Sequence, residues 1–136
     1  IFNINLKNFN SENKTALILT EPFSEEKYMT LDEELTIYTN MIEKFKEMTV
    51  IIKPHPRDLK NYNELFPNTT VIGNHFPIEL LTLININPTV VCSPISTALL
   101  NFKKSEIYVY EGELYDSRLD KYREDLIKIL KAKNNE

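Results

Sequence analysis

Five short apolar runs, each followed by a stretch with helical spacing, constrain this chain more than any other feature. The first, Thr15-Ala16-Leu17-Ile18-Leu19-Thr20, is continuously apolar and stops at Glu21-Pro22, the pattern of a parallel strand covered on both faces. Runs at 49–52, 69–72, 89–92 and 106–110 repeat it. Between them, Leu35, Tyr38, Met41, Ile42 and Phe45 trace a helix with Thr30 or Asp32 as its N-cap. A short helix is expected over 59–66, closed by Pro67, and a further one opening at Pro77 and ending at Pro88. Ser93-Pro94 reads as an N-cap with a first-turn proline, opening a helix through Ala98, Leu99 and Leu100. Leu119, Tyr122, Leu126, Ile127 and Leu130 mark the inner face of a closing helix. Alternation of this kind predicts an α/β fold, a Rossmann-like parallel sheet sandwiched by helices, with right-handed crossovers. The usual order 3-2-1-4-5 would place the ligand crevice at the carboxyl ends of the first, second and fourth strands. Those ends carry Thr20-Glu21, Lys53 to His55, and Ser93, Ser96 and Thr97.

A chain of 136 residues, 42% hydrophobic and 26% charged, suits one globular domain, here 15–136 behind a polar, Asn-rich connector at 1–14. With a net charge of −4 there is no basic field to draw nucleic acid. The single Cys92 pairs with no other thiol, which points to a reducing compartment and away from a zinc cluster. No run approaches a membrane span and the amino end is unlike a signal peptide, so a cytoplasmic location is expected, with peripheral attachment at the inner face of a bacterial membrane as an option. Because the chain starts at Ile1, a longer native polypeptide is expected. Only Gly73 and Gly112 are present, which rules out a glycine-rich phosphate loop.

Phosphate ligands must then come from elsewhere, and Lys53-Pro54-His55-Pro56-Arg57 is the leading source. Two prolines stiffen the segment, so its cations would lose little entropy on holding an anion. His55 beside a phosphate would have its cationic form favoured and would act as a general acid toward a leaving group. Its rival role is a structural histidine bonded to backbone. Ser93, Ser96 and Thr97 offer hydroxyls and a helix start, or else merely cap that helix. Glu79, early in the Pro77 helix, is placed to accept from ribose hydroxyls or is simply a first-turn charge. His75 reads as a loop residue. Among Glu21, Glu25, Glu26, Asp32, Glu33 and Glu34, one carboxylate crowded by like charges would have a raised pKa and serve as a base, and the sequence does not choose which. Tyr108, Tyr110 and Tyr115 read as core or rim packing.

Three blocks in order, Ile51-Ile52-Lys53-Pro54-His55-Pro56-Arg57-Asp58, then Phe76-Pro77-Ile78-Glu79-Leu80-Leu81, then Ser93-Pro94-Ile95-Ser96-Thr97-Ala98, resemble the carboxyl-terminal, donor-binding half of bacterial sialyltransferases of glycosyltransferase family 52, the lipooligosaccharide and capsule type. The resemblance implies one half of a GT-B enzyme that transfers sialic acid from CMP-sialic acid to a terminal sugar, with inversion and without an essential metal or other cofactor. It implies that His55-Pro56 contacts the donor phosphate and that Ser96-Thr97 binds the same group, with Lys53 and Ser93 beside them. The acidic Asp/Glu-Asp-Gly string of related enzymes has its nearest counterpart in Glu25-Glu26-Lys27, which makes Glu26 the implied base and leaves Asp32 a rival. A nucleotide sugar and a glycan acceptor are the expected partners, the acceptor-binding domain would lie outside this chain, and a homodimer stays open. Alternatives are a transferase for another capsule sugar or a CDP-linked polyol, and a non-catalytic α/β binding module.

Overall fold

A computed structural model describes residues 14–73 and 87–134 of the protein. Strands β1 (Thr15–Leu19), β2 (Thr49–Lys53), β3 (Thr70–Val71), β4 (Val90–Ser93) and β5 (Glu106–Val109) form one sheet in the order β3-β2-β1-β4-β5. All four pairings are parallel, so the Rossmann-like arrangement and strand order expected from the alternation are both observed. Register places Lys53 beside Leu19 and Cys92 beside Ile18, which brings the carboxyl ends of β2, β1 and β4 nearly level.

The sheet is apolar on both faces because its central strands carry apolar residues at successive positions, 16–19 in β1, 50–52 in β2 and 90–92 in β4. Ala16, Ile18, Val50, Ile52, Val90 and Cys92 pack against Ile37, Tyr38 and Met41 of α1 (Leu31–Lys44). Leu17, Leu19, Ile51 and Val91 pack on the other face against Leu99, Phe102 and Leu126. Leu126 belongs to the closing helix, α3 (Ser117–Asn134). Cys92 is a core residue whose Sγ lies 3.0 Å from Met41 Sδ, and burial pushes its thiol pKa up. Thr30 caps α1 in a reciprocal capping box with Glu33, which leaves Asp32 exposed in the first turn.

Two helices differ from expectation. The one placed over 59–66 is confined to α2 (Tyr62–Leu65) with Asn61 as cap, because Asp58 and Lys60 are drawn into a polar network and Leu59 is 81% exposed. The helix expected to start at Ser93 is a five-residue 3-10 helix, Thr97–Asn101, capped by Ser96. Ser93 instead completes β4, paired with Val109, and Pro94 precedes the helix rather than opening it. The segment 1–13, His75, Glu79 and the expected Pro77 helix lie outside the described residues. No helix among the described residues is long and apolar enough to cross a membrane.

Candidate functional site

At the end of β2 the chain makes a tight turn. Asp58 N–H donates to the His55 carbonyl at 2.8 Å, which sets Pro56 and Arg57 as the two central residues, with proline at the position its fixed φ suits. Thr20, at the end of β1, anchors this turn from the neighbouring strand. Its Oγ1 accepts from His55 N–H at 3.2 Å and donates to Asp58 Oδ2, while its own N–H donates to the Lys53 carbonyl. Tyr62 donates to the same Asp58 oxygen. Pro56 and Arg57 are exposed, and Lys53 is 8% exposed with Nζ donating to the Pro54 carbonyl.

His55 Nδ1 accepts the Arg57 N–H at 3.0 Å, so the hydrogen-bond pattern assigns the proton of the neutral ring to Nε2. Burial, and after it the Arg57 charge, lowers its pKa below the ordinary histidine value. The sequence reading favours a cationic ring beside a bound phosphate. In the chain itself the balance runs the other way, and the ring is neutral at pH 7 with an Nε2–H donor.

The acidic residues after β1 divide into distinct roles. Lys60 Nζ meets Glu25 Oε1 at 2.6 Å, Glu34 Oε2 at 2.9 Å and Asp58 Oδ1 at 2.9 Å, with its own side chain 8% exposed. Glu25 also accepts from Leu59 N–H, and although partial burial pulls upward, these hydrogen bonds hold its carboxyl down at about 2. Glu34 is buried and accepts from Tyr38 OH and from Ser24 N–H. Both are therefore occupied in joining the acidic loop and α1 to the His55 turn. Glu26 is the open one: its carboxylate lies 3.4 Å from the Arg57 guanidinium, and its side chain is 37% exposed. Glu21 is held at its backbone by Tyr38 on both sides, N–H donating to the hydroxyl and carbonyl accepting from it. Burial, and after it the charge of Glu26, pushes its carboxyl up to about 7. Asp32 is not among the partners of Arg57 or Lys60 within the described residues.

Lys27 follows Glu26 with φ of 64°, a left-handed conformation that glycine adopts freely and other residues adopt at a cost. The turn is closed by Lys27 N–H to the Ser24 carbonyl and Tyr28 N–H to the Phe23 carbonyl.

Across β1, the β4 end supplies the second group of hydroxyls. Ser93 is fully buried and its Oγ accepts from Ser96 N–H at 3.1 Å. Ser96 Oγ accepts from Ala98 N–H at 3.2 Å, and Thr97 is exposed. The 3-10 helix is too short to bring much dipole, so these residues contribute as hydroxyls and local N–H groups. β2 and β4 flank β1, so the two loops stand two strand spacings apart, about 10 Å.

The structure thus brings Lys53, His55, Pro56, Ser93, Ser96 and Thr97 to one sheet edge, with Glu26 beside the His55 turn through Arg57. Sequence reasoning placed Thr20 and Glu21 at this edge without choosing a role for either, and assigned none to Asp58 or Lys60. The only available signal was the density of charges on both segments, which does not tell which pair.

The family described as "Alpha-2,8-polysialyltransferase (POLYST)" matches residues 2–106. An uncharacterized protein of Haemophilus influenzae is 29% identical over 106 residues, covering 78% of this chain and 35% of that protein. The chain therefore spans about a third of the length of this relative. No solved structure matches the chain.

Proposed function

The chain belongs to the alpha-2,8-polysialyltransferase family, and from that premise we propose that it is the donor-binding side of a sialyltransferase, transferring sialic acid from CMP-sialic acid to the terminal sugar of a surface glycan. The observation that carries the reading is the meeting of the His55 turn with Glu25-Glu26-Lys27 through Lys60 and Arg57, at the carboxyl edge of a parallel sheet. Sialyltransferase character is common to the family match and to the family 52 resemblance. A lipooligosaccharide or capsule glycan as acceptor, and a GT-B partner domain, belong to the proposal.

In this scheme the CMP phosphate sits between the His55 turn and the Ser96-Thr97 loop. His55 donates Nε2–H to a phosphate oxygen, and Ser96 and Thr97 add hydroxyl contacts. As the bond from the anomeric carbon to the phosphate oxygen breaks, negative charge grows on the phosphate, where fixed donors and nearby cations act most strongly. The arriving anion also raises the His55 pKa toward protonation, so the ring can pass a proton to the departing CMP. On the opposite side the acceptor hydroxyl gives its proton to Glu26 and its oxygen bonds to the anomeric carbon with inversion. Glu21, titrating about neutrality beside Glu26, is placed to share that proton. The turn supplies the charge stabilisation, and the scheme calls on neither a metal nor another cofactor. Lys53 and Pro56 shape the turn, and Glu79 is assigned to the ribose.

Calorimetry with CMP and CMP-sialic acid against CDP and UDP tests the reading. Tighter binding of the CMP compounds, weakened by His55→Ala, is expected; equal affinity for all four nucleotides would refute it, and a preference for CDP would point to a polyol transferase instead.

A further inference from the structure

The bond from Arg57 N–H to His55 Nδ1 cannot survive a change in the charge of the ring. Nδ1 accepts that N–H at 3.0 Å, which requires a bare lone pair. A proton arriving from solvent bonds to this same lone pair, because Nε2 already holds one, and the imidazolium then has two N–H donors and no acceptor. Nδ1–H and Arg57 N–H would face each other as two donors, so the ring has to leave its seat. The backbone need not follow. His55 N–H is held by Thr20 Oγ1 at 3.2 Å and the His55 carbonyl by Asp58 N–H at 2.8 Å, and the ring proton touches neither bond. The movement is therefore a rotation of one half-buried side chain on a fixed turn.

Each ring position suits a different state of the site. Seated, the ring offers one donor, Nε2–H, and the Arg57 N–H is consumed. Released, both ring N–H groups, the ring charge and the N–H of exposed Arg57 are open to an anion at the carboxyl end of β2. An anion that binds the released state better draws the proton in, and the proton strengthens the anion by the same factor. The surrounding charges set the threshold. Burial, and after it Arg57, oppose the proton; Glu26 and Asp58 favour it, and Lys53 opposes it. The balance is against protonation, so in the free chain at pH 7 the ring stays seated.

Resting on the donor reading above, we infer that His55 and the Arg57 amide form a proton-linked clip, closed in the free chain, opened by the proton that charges the ring, and releasing the Arg57 N–H as a further donor to the bound phosphate. Nitrogen-15 NMR of the chain from pH 5 to 8, with and without CMP, reads both halves of the clip. The ring nitrogens report which of them carries a proton, and the Arg57 amide reports its hydrogen bond through its protection from exchange, relative to an unstructured amide at the same pH. In the free chain the neutral ring should show a bare Nδ1, and Arg57 protection should fall about fivefold as pH drops, with the midpoint of the ring itself. CMP should raise that midpoint by about one pH unit, a tenfold preference for the charged ring. His55→Asn keeps an acceptor at the δ position and cannot titrate, so its Arg57 amide should stay protected throughout. A proton on Nδ1 of the neutral ring, or Arg57 protection that does not follow the ring, would overturn the clip and leave the donor reading standing. A midpoint that bound CMP leaves in place would overturn its link to the ligand. Failure of the wild-type chain to bind CMP would instead sink the donor reading, and with it the role given to the Arg57 N–H.

Discussion

Replacing Lys60 by methionine removes the cation that joins Glu25, Glu34 and Asp58 and should turn a stabilising cluster into a destabilising one. The Lys60 side chain is 8% exposed and those of Glu34 and Asp58 are fully buried, so solvent screens little of the change. Breaking a buried ion pair from one side costs about 3–5 kcal/mol. A chain of this length holds roughly 7–20 kcal/mol in total, so the loss is a large fraction of its stability. Two carboxylates left about 5 Å apart repel by roughly 3 kcal/mol at an effective dielectric of 20, and a bound proton relieves that. The variant should therefore take up a proton at this cluster near neutral pH. Its folded-state carboxyl pKa would be raised, so the penalty is full above that value and fades as pH falls toward 4. In the wild type the sign is opposite for Glu25: held at about 2 against an ordinary 4.5, it contributes stability above pH 4.5 that is lost as pH falls toward 2. Urea unfolding followed by circular dichroism at pH 5, 6, 7 and 8 measures the difference between the two proteins, in which the Glu21 titration largely cancels. Methionine without a penalty, or a penalty that does not change with pH, would refute the assignment of Lys60 as the charge that holds these segments together.

Lys27→Gly should stabilise the fold, since relieving a left-handed φ is worth about 1–2 kcal/mol and the added unfolded-state entropy of glycine returns about 0.5–1 kcal/mol. A rise of a few degrees in melting temperature is expected by calorimetry, with Lys27→Ala giving none. Glu21→Gln should flatten the stability profile between pH 4.5 and 7, because a carboxyl raised to about 7 destabilises the fold progressively as it ionises across that window; chemical denaturation at those two limits reads the difference. His55→Ala should weaken CMP binding by about tenfold or more, the cost of one hydrogen bond to a charged group, with unfolding free energy changed by less than about 1 kcal/mol.

The sheet was legible because its central strands carry continuous apolar runs, a pattern that survives without knowledge of neighbours. The site's strand-end residues followed from it, since Lys53, His55 and Ser93 sit where those runs stop. Ser93-Pro94 misled because a serine followed by proline satisfies the local chemistry of a helix start, while the competing ladder with Val109 is set by a strand 16 positions on. Lys60 was invisible for the same reason: one of its partners, Glu25, is 35 positions away, and no local rule marks a lysine as buried. The choice among the acidic residues needed burial and hydrogen bonding, which set Glu25 at about 2 and Glu21 at about 7 in one short acidic segment.

The His55 turn and the Ser96-Thr97 loop spring from strands on either side of β1, so their separation is a multiple of the interstrand repeat. Backbone hydrogen bonding fixes that gauge, and side-chain identity has little leverage on it. Helices and surface can then diverge far while the gap between the two loops keeps its width. A change of ligand preference along such a lineage would then act through the loops at the two jaws rather than through the sheet that spaces them.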